Sequence, residues 1–170
     1  MDSRIAAAAQ GLVAARRDNR IALLDVAVAP RDLDEAYRTH LALLELLSAE
    51  DGGPRIGWKV GFTNAAAQQR MGTTEPVFAG LLGKHAYVTE AEVHSPNGTG
   101  LGVEAELAVR LGAPLAGPVS RHEAAERHSA ELKAGDVILL GAIIPAQHLN
   151  PGQLAEVASD GLGDVRVWID

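Results

Sequence analysis

Cysteine is absent from the 170 residues. That removes disulfides, thiolate metal sites and cysteine nucleophiles together, and it fits a cytoplasmic protein. Aromatic residues are nearly as scarce, with two Trp, two Tyr and two Phe. The core must therefore be built from aliphatic residues and alanine. Positive charge is also short: 15 basic residues face 22 acidic ones, a formal net charge of −7. No basic stripe stands out, which argues against a nucleic-acid partner, because phosphate neutralisation needs clustered Lys and Arg. No run approaches the apolar length of a membrane span. The apolar stretches Ile5–Ala9 and Gly11–Ala15 are followed by Arg16 and Arg17, not preceded by charge. A signal peptide has the opposite order, so an amphipathic helix of a soluble protein is expected there. Neither a phosphate-binding glycine loop nor a nucleophile elbow occurs.

What is present reads as helices first and a β-rich body second, an α+β order. One domain is expected over 1–170, with a helical part at 1–53 and the β-rich body at 54–170. Residues 2–18 read as a helix, with Ser3 as a candidate N-cap and two arginines near its end. Pro30 breaks the pattern. Residues 31–50 form a stronger helix, with Leu41, Leu44 and Leu47 at helical spacing and Asp32, Asp34 and Glu35 at its positive end. Asp51-Gly52-Gly53-Pro54 stops it.

After Pro54 the texture changes. Arg55–Gly61 is expected to be a strand, and Thr63 or Asn64 to cap a short helix running to Met71. Short extended segments are expected near Val77–Leu82, His85–Val88 and Glu92–His94, then a turn at Ser95-Pro96-Asn97-Gly98. From Leu101 to Leu111 the odd positions from Val103 onward are apolar, and the even ones include Glu104, Glu106 and Arg110. That two-residue period predicts one half-buried strand, although Glu, Ala and Leu are good helix formers. A polar helix is expected near 120–132, strands at Val137–Leu140, Leu154–Ala158 and Asp164–Trp168, and turns between them.

Three groups of residues bear on chemistry. Lys59 lies in the apolar strand Gly57-Trp58-Lys59-Val60-Gly61. A buried ammonium is costly unless paired, and flanking glycines let a backbone or a ligand approach. Such a lysine binds a carboxylate or moves a proton; the plainer alternative is a strand lysine whose head reaches solvent. Glu104 and Glu106, two apart on a strand, point to one face. Oxygen-only ligation suits Mg2+ or Mn2+; the alternative is a solvent-facing pair. The run His122-Glu123-Ala124-Ala125-Glu126 lacks the second histidine of a zinc-protease helix, and reads as a solvated helix face.

Taken in order, Gly57-Trp58-Lys59-Val60-Gly61-Phe62-Thr63, Gln68-Gln69, Met71-Gly72, Glu75-Pro76, Gly80-Leu81-Leu82, Glu104-Ala105-Glu106 and Leu132–Ala142 form one series. The series resembles the 2-keto-4-pentenoate hydratase and 4-oxalocrotonate decarboxylase family, within the fumarylacetoacetate hydrolase superfamily. The likeness covers most of residues 1–111 and 132–168. It implies N-terminal helices followed by a twisted mixed β-roll, with a shortened central segment. It implies a lyase acting on a small unsaturated 2-oxo acid or its dienol, and a homo-oligomer. Lys59 matches the family's catalytic lysine, Gly61 and Thr63 fall at substrate-binding positions, and Glu104 and Glu106 match the paired ligands of Mg2+ or Mn2+. The chain departs from the pattern twice. Val77-Phe78 follow Glu75-Pro76 where the family has an acidic residue, and only Gly112–Glu131 stands where a longer segment supplies a third acidic ligand. Both departures leave room for a metal-independent tautomerase, isomerase or cyclase on the same scaffold, or for a non-catalytic subunit.

Overall fold

A computed structural model of the chain describes residues 2–95, 100–115 and 131–170. The fold is α+β, with helices first and mixed sheets after them. Helix α1 spans Ser3–Arg17 and helix α2 spans Leu33–Leu47, extended by a π turn over Ser48–Gly52. Asp2, not Ser3, caps α1: its side chain accepts from the Arg4 N–H at 2.9 Å. Asp32 caps α2 by accepting from the Glu35 N–H at 2.8 Å. Among the described residues nine strands follow: β1 Arg55–Gly61, β2 Val77–Leu82, β3 Ala91–Val93, β4 Leu101–Val103, β5 Glu106–Arg110, β6 Val137–Ala142, β7 Gln147–Leu149, β8 Leu154–Val157 and β9 Val165–Ile169. Helix α3, Ala65–Met71, lies between β1 and β2, and a 3-10 turn covers Gly83–His85. The expected helix near 120–132 and the His122–Glu126 run fall almost wholly outside the described residues; Glu131 and Leu132 are coil.

The chain divides into two compact units, Met1–His85 with Ala108–Leu139, and Ala86–Leu107 with Leu140–Asp170. In the first, α2 packs on a sheet of order β2-β1-β6-β5. Strands β1 and β2 are antiparallel, and β1 and β6 are parallel. Leu44 of α2 and Trp58 of β1 are buried together, with Leu41, Phe78, Leu82, Leu132 and Ile138 against them. Gly80 permits this approach: a Cβ there would sit 2.4 Å from Leu44 Cδ1. On the other side of α2, Ala42 packs with Ile5 and Ala9 of α1, where small side chains let two helices come close.

Strand β2 lies at an edge of this sheet, yet two of its outward N–H groups are satisfied by α2. The Phe78 N–H donates to Tyr37 Oη at 3.4 Å, and the Gly80 N–H donates to His40 Nε2 at 3.0 Å. Residues three apart on a helix thus serve residues two apart on a strand. Burial raises the Tyr37 hydroxyl's pKa and lowers that of His40. At the start of α2, the buried carboxylate of Glu35 is held by the guanidinium groups of Arg4 and Arg31, and by the Arg31 N–H at 2.8 Å. Those arginines hold its pKa far below the usual carboxylate range. Arg4 also donates to the Ala29 carbonyl at 2.7 Å, so one cluster ties α1, the connecting segment and α2.

The second unit contains two small sheets, β3-β9-β8 and β4-β7. Strands β3 and β9 are parallel, while β8–β9 and β4–β7 are antiparallel. Two sequence expectations fail within residues 85–111. The segment expected over His85–Val88 is not a strand. The alternating run from 101 to 111 is not one strand: it breaks at Glu104-Ala105 into β4 and β5, and Leu107 and Val109 are exposed. The period in the sequence is real, but it does not mark a buried face.

Candidate functional site

Lys59 sits in the middle of β1, opposite Ala79 of β2 and Leu139 of β6. Its neighbour Trp58 is buried against Leu44. Strand side chains alternate, so Lys59 belongs to the face turned away from α2. It is half-buried. The glycines around it differ in kind. A Cβ on Gly57 would lie 1.9 Å from the Val137 carbonyl oxygen, so the parallel neighbour β6 itself requires glycine there. Among the described residues a Cβ on Gly61 would meet Val77 Cγ2 alone, at 3.8 Å, an ordinary contact. Packing among the described residues does not require glycine at 61.

The frame around Trp58 is rigid. Phe78 stacks on Tyr37 with centroids 4.2 Å apart, and meets Trp58 edge-on at 5.4 Å. Arg55 lies over the Trp58 ring at 4.5 Å and donates to the buried Asp136 at 2.9 Å. The Lys133 N–H donates to the same carboxylate oxygen at 3.0 Å. Asp136 is the last residue of the turn that enters β6. It also pins β1 to that turn, and no spacing in the sequence links it to Arg55. The Trp58 indole N–H is buried and has no hydrogen-bond partner among the described residues.

Beyond Gly61 the chain bends. Phe62 has a φ of 54°, in the left-handed region, and Thr63 is exposed. Asn64 caps α3, its side chain accepting from the Ala67 N–H at 2.9 Å. Gln68 of α3 reaches back and donates to the Phe62 carbonyl at 2.9 Å. Gly61 pairs in register with Val77, so the residue that replaces the expected acid lies beside the bend. Lys59, Gly61 and Thr63 thus share one strand and its exit.

Glu104 and Glu106 lie in the second unit. Glu104 is exposed in the break between β4 and β5, and Glu106 is the half-buried first residue of β5. Glu106 Oε2 accepts from the Gly141 N–H at 3.3 Å, and Ala105 between them accepts from the Ile143 N–H at 2.9 Å. Because the strand is interrupted, a shared face no longer follows from a two-residue period. Their oxygen donors still suit a hard divalent cation. Among the described residues no group of three or more His, Asp or Glu is arranged to hold a metal ion. Two carboxylates would leave the remaining positions to water and substrate oxygens.

No protein-family model and no curated protein match the chain. Solved structures do. A 4-oxalocrotonate decarboxylase from Pseudomonas putida G7, complexed with magnesium and adipate, superposes with a TM-score of 0.85 over 100% of this chain and 98% of that one. The fold is that of 4-oxalocrotonate decarboxylase. The same enzyme complexed with calcium and acetate gives 0.84 over the same shares. Identities are 16% and 17%, so the likeness carries architecture and not the role of any residue. It agrees with the fold that the ordered motifs imply.

Proposed function

We propose that this chain is a lyase of the hydratase or decarboxylase type, acting on a small unsaturated 2-oxo acid. The supporting observation is the end-to-end likeness to a decarboxylase whose structures hold magnesium with adipate, or calcium with acetate. The ordered motifs around Lys59 and Glu104-Ala105-Glu106 point the same way. In this reading residues 1–170 work as one hydratase-like domain in a cytoplasmic homo-oligomer. The exposed apolar residues of the second unit, Trp168, Ile143 and Val165 among them, favour a covered state.

Each residue has a role that its chemistry permits. Lys59 is the catalytic group: its ammonium neutralises the acid and delivers a proton to carbon. The Gly61 backbone and Thr63 hydroxyl bind substrate oxygens, which accounts for a glycine that packing leaves unexplained. Glu104 and Glu106 hold Mg2+ or Mn2+. When bound, the cation draws electron density from the 2-oxo and carboxylate oxygens and so favours an enolate-like charge. In decarboxylation the bond to the departing carboxylate breaks, its electron pair enters the enolate, CO2 leaves, and Lys59 protonates the carbon. In hydration, water adds across a double bond conjugated to the carbonyl: its oxygen bonds to the alkene carbon farther from the carbonyl, and a proton goes to the nearer one.

Val77 in place of an acid, and two carboxylates rather than three, favour a second reading. It is a metal-independent tautomerase, isomerase or cyclase in which Lys59 alone moves the proton. A thermal-shift titration with Mg2+ or Mn2+, with and without oxalate, separates the two. A ligand that binds only the folded state raises Tm. The lyase reading expects a rise with millimolar metal that grows with oxalate and is lost in Glu104→Gln/Glu106→Gln. No rise in any arm favours the metal-independent reading. Lys59→Ala is expected to lower turnover by about a hundredfold or more; unchanged activity in this variant removes both mechanisms.

A further inference from the structure

The backbone is strained immediately after the lysine strand. Phe62, with its φ of 54°, adopts a conformation that residues bearing a Cβ rarely enter. Such a conformation persists only where surrounding groups hold it. Glycine at 62 would relieve the strain outright. On one side of the bend, Gly61 is locked in register with Val77. On the other, α3 is capped by Asn64, and the Gln68 N–H donates to the Asn64 carbonyl at 3.1 Å. The Gln68 side chain closes the bend by donating through Nε2 to the Phe62 carbonyl at 2.9 Å. Gln68 and Phe62 are both half-buried, so water competes only weakly for this bond.

The strained residue lies between Gly61 and Thr63. We propose that Gln68 is a positioning residue: by holding Phe62 left-handed, it presents the Gly61 backbone and the Thr63 hydroxyl to the oxygens of the bound acid. This inference rests on the reading of Gly61 and Thr63 as substrate-binding. Gln68 itself touches the Phe62 carbonyl and not the reacting atoms.

The test uses the full chain with Gln68→Ala, Gln68→Glu, Phe62→Gly and the Gln68→Ala/Phe62→Gly pair. Glutamate keeps the shape of Gln68 and removes its donor, which covers the case in which alanine fails to fold. The first readout is backbone NMR of residues 61–64. Loss of the Gln68 donor is expected to move the residue-62 signals away from left-handed values, and much less so when residue 62 is glycine. Unmoved Phe62 signals overturn the proposal. The second readout is steady-state kinetics with 4-oxalocrotonate. The expectation is a rise in KM of roughly three- to tenfold, with kcat changed by less than about twofold. In the Phe62→Gly background that rise shrinks, because glycine enters the left-handed region without strain. An equal rise in both backgrounds, or a fall in kcat with KM unmoved, overturns the proposal. A wild-type protein that does not turn over 4-oxalocrotonate counts against the lyase reading alone. Gln68 is then decided by the NMR shifts together with an oxalate titration of the 61–64 signals, which should weaken in Gln68→Glu.

Discussion

The first unit buries Ile5, Val13, Tyr37, Leu44 and Trp58 in a helix-on-helix and helix-on-sheet core. In the second unit, among the described residues, Ile169 is the one buried apolar side chain, while Leu140, Ile143, Ile144, Leu162, Val165 and Trp168 stand exposed. What holds the second unit is mostly backbone. The Ser95 N–H donates to the Asp170 carbonyl at 2.7 Å, the Gly152 N–H to the Ile169 carbonyl at 2.7 Å, and the Asp170 N–H to the Val93 carbonyl at 3.1 Å. One unit is specified by packing and the other by pairing, and the two should respond differently to the same insult.

The largest contrast is expected at glycine. Gly57→Ala puts a Cβ against the Val137 carbonyl of a parallel neighbour, with no flexible side chain to yield. Loss of soluble, folded protein is expected. Gly102→Ala on β4 meets nothing within 4 Å among the described residues, and should leave the melting temperature within a degree or two. Expression and thermal melts of both variants check the pair. A stable Gly57→Ala protein contradicts the tight β1–β6 pairing.

Large-to-small changes come next. Leu44→Ala removes a side chain that is 8% exposed and packed on Trp58, so a cost of about 3 kcal/mol is expected. Leu154→Ala in β8, where the side chain is 37% exposed, should cost about 1 kcal/mol or less. Chemical denaturation can follow each unit by its own tryptophan, since Trp58 lies in one and Trp168 in the other. A large cost for Leu154→Ala would show that the exposed sheet is covered in solution, as an oligomer requires.

The same contrast explains what was legible in the sequence. The first unit could be read because its elements are encoded locally. Helical spacing of Leu41, Leu44 and Leu47 marks α2, and Arg55–Gly61 matches β1 residue for residue. What could not be read there are pairs far apart in the chain. Arg55 meets Asp136, and His40 and Tyr37 close the edge of β2. Glu35 was placed only as a favourable charge at a helix start, yet it is a buried anchor for two arginines. Over residues 101–111, where the chain passes from the second unit to the first, the usual inference from alternation to burial failed. Leu107 and Val109 keep the period while remaining exposed, so the period could not report the break at Glu104-Ala105. β7, Gln147–Leu149, has too little apolar content to announce itself. The strand carrying Lys59 was therefore placed correctly, whereas the pair at Glu104 and Glu106 acquired a geometry that the sequence did not contain.

The smallest expected effect is a pH dependence confined to the first unit. His40 Nε2 accepts a hydrogen bond from the Gly80 N–H, so the folded ring is neutral, with its own proton on Nδ1. Burial lowers its folded pKa below the ordinary 6.5. The unfolded chain then takes up a proton at a higher pH than the native protein does. The stability this group contributes is complete above about pH 6.5 and is lost as pH falls from there toward the folded pKa. Glu35 acts lower still. Its pKa is depressed by Arg31 and Arg4, so its contribution stands above the ordinary 4.5 and disappears only in stronger acid. Between about pH 7 and about pH 5 the Trp58-reported midpoint should therefore fall through His40, not through Glu35. His40→Gln keeps an acceptor without a titrating ring and should flatten that slope. An equal slope in both proteins would show that His40 does not hold the edge of β2.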